Sequence, residues 1–461
     1  MLKLDITVAQ MLDILETSVT GVSARALTRK VNLCMDSREK AKGVVFWPIK
    51  GARFDAHEFV PQMEKDGALM SVVNQNAAVE MFNMYAPVDD TTKALLKLAK
   101  GYQRLFKLKK VAITGSNGKT TTKEMTKAVL MSRFNTHATQ GNFNNHIGVP
   151  LTLFALKHSH EMAVVEMGTS GPDEIRPLSL ATEPDVAVIT NIGASHLERL
   201  GDLDGVFREK ITITAGLKKN GILIVNADDA HLCKCRSNKN YKVVTFGVRR
   251  GTIKPEKLSW NENACASFYV GRTHFELNVP GIHNLYNALA AIAVGLAFKI
   301  SKTDIAKALN GFHSSNMRME IRRANGFKLI SDCYNANPSS TRMALQTIGN
   351  MNVTGSRIAV LGDMLELGRE SALLHEQIGA LVPEMNFDLL VAVGKDAANY
   401  IKGAKKCGMK NVFHFDTVQE VIEFLSDVVS CGDVLLVKGS RGMKMEQVVD
   451  ALIRLTAVAK A

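Results

Sequence analysis

At 461 residues the chain is long enough for roughly three domains of about 150 residues each. Its 46% hydrophobic and 22% charged residues are the balance of an ordinary soluble globular protein. The longest apolar run, Ala288 to Phe298, falls short of the ~20 residues that span a bilayer, which argues against membrane insertion. A net charge of +12 raises nucleic-acid binding, but Lys and Arg are dispersed and aromatics make up only 6%, so no nucleic-acid partner is expected. A polyanionic small substrate accounts for a basic surface equally well.

The start, MLKLDITVAQMLDIL, carries acidic residues and a helix-start pattern, Thr7 followed by Gln10, and does not resemble a signal or transit peptide. Seven cysteines scattered singly fit reduced thiols rather than a disulfide framework, so a cytoplasmic chain is expected. Short apolar runs then alternate with turn signals (VVFWPIKGARFDAHEF, GALMSVVN) and end in a lysine-rich stretch, Thr92 to Leu108, that reads as a connector helix. From about residue 109 the strand candidates VAIT, MAVVEM, DVAVIT, ILIVN and KVVTF alternate with helical patterns, which predicts a parallel sheet covered on both faces. Within this region Cys233 and Cys235 beside His231 form a C-x-C too tight for a zinc knuckle, with no second pair following. The helical stretch NLYNALAAIAVGLAF closes it. From about residue 314, FKLISD, RIAVLGD, LLVAVG, NVFHF and DVLLVKGS predict a second, smaller doubly wound domain.

The chemistry concentrates at VAITGSNGKTTT, residues 111 to 122. A strand breaks into a tight glycine turn and then a helix, the arrangement that turns backbone N–H groups toward a phosphate. Ile113 stands where the usual G-x-x-x-x-G-K-[ST] loop has its first glycine, so the motif begins at Gly115. Lys119 is placed to bridge terminal phosphates and the Thr120 hydroxyl to ligate Mg²⁺. The next strand ends in Glu166, where a carboxylate can reach that metal, and NIGASHLERLG after the third strand puts His196 at the same carboxyl edge. Alone, Glu166 has a strand-end surface acid as its lesser reading, whereas a lone loop histidine such as His196 is more often structural or solvated.

Across essentially the whole chain, VAITGSNGKTTTKEM, GNFNNHIGVPLTL, VVEMG, PDVAVITNIGASHLE, GIHNLYNALAA, MRME, SDCYNANPSS, LGDMLELG and VKGSRGMKME occur in the order expected of the Mur ligases, which the sequence resembles. That family adds amino acids to the UDP-linked peptidoglycan precursor with ATP and Mg²⁺. The resemblance implies an α/β chain of three domains: an N-terminal UDP-sugar-binding domain (1–108), a central P-loop parallel-sheet ATP-binding domain (109–313) and a C-terminal Rossmann-like ligase domain (314–461). GNFNNHIGVP, YNANP and GDMLELG imply a member that takes UDP-N-acetylmuramoyl-tripeptide and D-alanyl-D-alanine, and a monomer is expected. The implied chemistry is attack of a substrate carboxylate on the ATP γ-phosphate, then attack of the amine on the acyl phosphate.

Residue roles follow by position. Gly115, Ser116, Asn117, Gly118, Lys119, Thr120 and Thr121 form the phosphate loop. Thr120, Glu166 and His196 match the magnesium positions. Lys210, in DGVFREKITI, falls where relatives carry a carbamylated lysine, although from the residues alone it reads as a helix-surface lysine. Asn284 and Asn287, three apart on one helix face, resemble adenine contacts; Arg318 resembles a γ-phosphate arginine and Asp332 a ribose ligand. For the UDP-sugar end the candidates are Ser37, Arg38, Gln140, Asn142, Asn144, Asn145 and His146, and for the dipeptide side Tyr334, Asn335 and Asn337. WPIK and MGTSGPDEI depart from the family's FVALKG-like and MGANHPGEI patterns without touching Lys119, Thr120, His196, Lys210 or Arg318. Ligases adding diaminopimelate or lysine, and folylpolyglutamate synthase, share the central domain; the D-N-P-R signature of diaminopimelate selection is absent.

Overall fold

The computed structural model of the chain describes residues 1–51, 54–77, 83–314 and 317–458. Strands rich in Val, Ile and Leu are buried on both faces here, and each needs a covering layer on either side. In the central domain the strands run, edge to edge, Tyr241–Phe246, Gly221–Asn226, Val186–Ile189, Lys109–Thr114, Met162–Glu166 and Thr136–Ala138, all parallel. Strand alternation divides their side chains between two cores. Ala112, Val165, Ile189 and Val225 pack with the helices Gly148–Phe154 and Ile175–Thr182. Val111, Ile113, Val164 and Ile224 pack against Met125 and Val129 of the helix Lys119–Met131 and against the helix Ile282–Ala297. This last helix is apolar on nearly every side because a further layer covers it, including the helix Lys302–Asn310.

The N-terminal domain is a five-stranded sheet in the order Leu2–Thr7, Lys30–Cys34, Val45–Phe46, Met70–Asn74, Tyr85–Val88, with only the first pair antiparallel. The expected connector is the helix Thr91–Gln103, capped by the Asp90 carboxylate accepting from the Lys93 N–H. It is more than a linker. Tyr102 sits edge-on to Phe154 of the central domain at 5.7 Å between ring centroids, and Leu95, Leu98 and Ala99 are fully buried.

In the C-terminal domain the order is Glu320–Ala324, Phe327–Asp332, Val434–Lys438, Arg357–Gly362, Leu389–Val393, Val412–Phe415, parallel except for the first edge strand. Two features lie outside the sequence expectations. The edge strand Glu320–Ala324 is one. The other is a three-stranded antiparallel sheet, Glu256–Trp260, Cys265–Val270, Thr273–Pro280. Its last strand carries a clear period-2 signal, with Phe275, Leu277 and Val279 buried between exposed Glu276 and Asn278. No helix among the described residues is long and apolar enough to cross a membrane.

Candidate active site

The carboxyl ends of the central strands and of the C-terminal sheet open onto one cleft of about 650 Å³ between the two domains. Its floor is the phosphate loop. Gly115 (φ 149°) and Gly118 (φ 79°) take backbone conformations that favour glycine, and a Cβ on Gly118 would lie 2.3 Å from Asn287 Oδ1. The loop is fixed from the next strand end. The Ser116 N–H donates to the Asn191 carbonyl, the Asn117 N–H to Asn191 Oδ1 (2.9 Å) and the Thr190 hydroxyl to the Asn117 carbonyl (2.6 Å). The helix Lys119–Met131 follows directly, with no side chain capping it, so its first N–H groups remain for a ligand. Lys119 Nζ folds back onto the Gly115 carbonyl at 2.8 Å, and burial pulls its pKa down.

Register across the sheet pairs Ile113 with Glu166, which carries that carboxylate to the loop's edge. Glu166 is 1% exposed; its Oε1 accepts from the Thr120 hydroxyl (3.2 Å) and from Asn144 Nδ2 (2.8 Å), while its buried Oε2 has no hydrogen-bond partner. An orphaned carboxylate oxygen beside a threonine hydroxyl fits a hard cation with oxygen ligands. His196, in a left-handed conformation (φ 53°), lines the same cleft; burial first, then Lys119 and Lys210, lowers its pKa and favours the neutral, ligating imidazole. Lys210 is 1% exposed, and its amine makes no hydrogen bond or ion pair among the described residues. Burial above all, with Lys119 adding to it and Glu209 opposing, holds its pKa well below the ordinary lysine value. Lys210 is therefore not the surface lysine that its helix suggested.

The C-terminal domain contributes the opposite wall. Arg318 Nη2 donates across the cleft to Thr120 Oγ1 (3.2 Å), and its guanidinium lies 3.9 Å from the Tyr334 ring centroid. Met317 and Met319 on either side both have positive φ (58° and 51°), a backbone cost typical of residues held for a task. Asp332 Oδ2 is paired with Lys438 at 2.6 Å. Asn337 caps the helix Pro338–Gly349 and donates from Nδ2 to Asn117 Oδ1 at 2.9 Å, a second bridge between the domains.

Most sequence candidates thus meet in one place, with different degrees of freedom. Asn142, Asn144 and Asn145 line the cleft, as do Tyr334 and Asn335. Asn284 and Asn287 do so too, but they are tied to each other (3.1 Å), and Asn287 Oδ1 also accepts from the Thr122 hydroxyl. Gln140 and His146 belong to the same Asn-rich loop without lining the cleft, and both are exposed. Ser37 and Arg38 are also outside it, in the turn after strand Lys30–Cys34, where Asp36 holds the exposed Arg38 in a two-point contact at 2.8 and 2.7 Å.

A family model, the Mur ligase middle domain, matches residues 113–295, and the Mur ligase glutamate ligase domain matches residues 317–441. The chain is 39% identical over 429 residues to the UDP-N-acetylmuramoyl-tripeptide–D-alanyl-D-alanine ligase of Bacillus subtilis, covering 91% of this chain and 92% of that protein. The chain belongs to the Mur ligase family. Among solved structures, MurF from Acinetobacter baumannii superposes with a TM-score of 0.87 at 31% identity, covering 97% of this chain and 98% of that one. MurF ligase from Thermotoga maritima, solved in complex with ADP, gives 0.81 at 26% identity, covering 93% and 98%.

In this Mur ligase two residues that the sequence reading passed over support the site. Lys438 ends an apolar strand as a buried cation against Asp332. Glu209, next to Lys210, is buried and accepts from three successive backbone N–H groups, those of Asp173, Glu174 and Ile175, at 2.7 to 3.0 Å. It thereby fixes the departing MGTSGPDEI loop at the start of the helix Ile175–Thr182, where no side chain of the helix's own provides a cap. A charged residue ending an apolar run was the available signal for Lys438. Glu209 had none, since the N–H groups that donate to it lie 34 to 36 residues away.

Proposed function

We propose that this Mur ligase joins D-alanyl-D-alanine to a UDP-N-acetylmuramoyl-tripeptide with ATP, forming the pentapeptide precursor of peptidoglycan in the cytoplasm. The carrying observation is the convergence of Lys119, Thr120 and Glu166 from the central domain with Arg318 from the C-terminal domain in one cleft. Support comes also from the shared domain order and from the printed activity of the B. subtilis relative. In this reading the domains meet at 108/109 and 313/314 and the chain acts as a monomer.

ATP lies with its phosphates on the loop Gly115–Thr121, its adenine toward Asn284 and Asn287 and its ribose toward Asp332. The tripeptide's terminal carboxylate oxygen attacks the γ-phosphorus as the bond to ADP breaks. The dipeptide's amine then attacks the acyl carbon, loses a proton, and inorganic phosphate leaves. Two anions must meet for the first step, so the chain's main contribution is positioning and charge neutralisation. Lys119 and Arg318 supply fixed cations to the transferring group. Thr120, Glu166 and His196 would hold Mg²⁺, which withdraws charge from the phosphates when bound. Lys210 fits a carbamate: burial shifts its amine toward the neutral form, which adds to CO₂ with loss of a proton and becomes an anion that would support a cation nearby. Asn142, Asn144 and Asn145, with Gln140 and His146, face the UDP-sugar, to which Ser37 and Arg38 belong in the closed complex. Tyr334, Asn335 and Asn337 flank the dipeptide.

Phosphate release, measured with UDP-muramoyl peptides against a panel of amines, tests the proposal. Turnover is expected with the UDP-muramoyl-tripeptide and D-alanyl-D-alanine together. Turnover with free amino acids and none with the dipeptide would overturn it in favour of another Mur-type ligase.

A further inference from the structure

Lys123 lies three and four residues beyond Thr120 and Lys119, one turn further along the same face of the phosphate-loop helix. Its side chain is 0% exposed, a rare state for lysine unless every proton has a partner. The partners are specific. Nζ donates to the Thr139 carbonyl at 2.7 Å and to the Gly141 carbonyl at 3.3 Å, pairs with Glu124 Oε1 at 2.9 Å, and stands 3.9 Å from the free Glu166 Oε2. The two carbonyls flank Gln140, where the strand Thr136–Ala138 gives way to the Asn-rich loop. Other restraints here are local or stop at Thr139: the Phe143 N–H donates to the Gln140 carbonyl (3.2 Å), and Thr139 is held to the Glu166 strand through Val164 and the Glu166 N–H, while Gly141 has a positive φ (53°) with open space where a Cβ would be and Gln140 to Phe143 are exposed. The loop's next anchor is Asn144, whose Nδ2 donates to Glu166 Oε1 and whose carbonyl accepts from the Gly168 N–H at 2.7 Å.

We infer that Lys123 is a positioning residue that ties the Gln140–His146 loop to the phosphate-loop helix, so that the UDP-substrate side and the nucleotide side are built as one unit. This rests on the reading that the loop faces the UDP-muramoyl substrate. One buried ammonium ties the phosphate-loop helix to the loop start beside the Glu166 strand end, and no backbone hydrogen bond among the described residues joins that helix to Thr139–His146. A lysine that merely filled the core would leave loop order and substrate affinity unchanged when replaced by an apolar side chain of similar length.

Lys123→Met is the test, with chymotrypsin cleavage after the exposed Phe143 reporting loop order. Cleavage is expected to accelerate roughly tenfold, and the Kd for UDP-N-acetylmuramoyl-tripeptide to rise roughly tenfold, the scale of lost charge-assisted hydrogen bonds. The Kd for metal-free ADP is expected to stay within about twofold, because the phosphate loop keeps its own anchors at Asn191 and Thr190. Unchanged cleavage and tripeptide affinity, or a parallel loss of ADP affinity, would overturn the inference. If wild type fails to bind the tripeptide while Lys123→Met still loosens the loop, the substrate reading fails and the tether stands. Should Lys123→Met not fold, Glu124→Gln at its half-buried position decides. Without that carboxylate the ammonium is drawn toward Glu166, so Phe143 cleavage should rise about threefold or more; no rise overturns the tether.

Discussion

Burial redefines single residues in this site. Lys210 looks like a solvated side chain in DGVFREKITI, yet it is only 1% exposed, its amine is unpaired among the described residues, and burial shifts it toward the neutral form. A neutral amine is what CO₂ addition needs, and a buried cation without a counter-ion is what the fold would otherwise have to tolerate. Lys210→Ala is expected to lose about 10- to 100-fold in kcat and to regain part of it with added short carboxylic acids. Full activity in the unsupplemented variant would refute the carbamate. Glu166 shows the complementary case. Its position at the end of an apolar strand was legible in MAVVEM, but the lack of a hydrogen bond at Oε2 was not, because Thr120 and Asn144, which donate to the other oxygen, come from a helix and a loop elsewhere in the chain.

At the scale of elements, the helix Ile282–Ala297 shows why an element can be recognised without its role being clear. Its apolar run was legible as a helix, with Asn284 and Asn287 three apart on one face. In the structure its first turn sits against the C-terminal domain, where a Cβ on Gly281 would strike the His283 ring and the Thr347 hydroxyl. Burial lowers the His283 pKa from 6.5 to about 4, with Asp332 opposing and Lys438 reinforcing the shift. The folded protein therefore binds this proton less readily than the unfolded chain, so stability is complete above about pH 6.5 and is lost as pH falls toward 4. The loss attributable to His283 is at most about 3 kcal/mol. Denaturant unfolding of wild type and His283→Gln between pH 7 and 4 checks this: the variant should show a flatter profile, and identical slopes would exclude His283 as the cause. The elements missed in the sequence were antiparallel, Glu320–Ala324 and the sheet from Glu256 to Pro280, whose half-exposed strands lack the continuous apolar runs of the parallel sheets.

For the molecule as a whole, the decisive contacts cross between domains. Arg318 meets Thr120 and Asn337 meets Asn117, across 198 and 220 residues of chain, and these bridges draw the C-terminal domain onto the phosphate loop. Asn337→Ser separates the bridge from the cap: serine still caps the helix Pro338–Gly349 but is too short to reach Asn117. Small-angle scattering should show a radius of gyration larger by about 1 Å or more than wild type, with the melting temperature held by the retained cap. An unchanged radius would mean that this bridge does not hold the closed arrangement. By itself the sequence determined the two parallel sheets, through continuous Val and Ile runs between helical patterns. It also determined the phosphate loop, through glycines that only a tight turn before a helix requires. Both are local signals carried within a few residues. Only the tertiary structure decided which carboxylate oxygen stays free, which lysines are buried, and which residue of one domain reaches into another. Those properties depend on what surrounds a side chain, and here the surroundings come from segments dozens to hundreds of residues away.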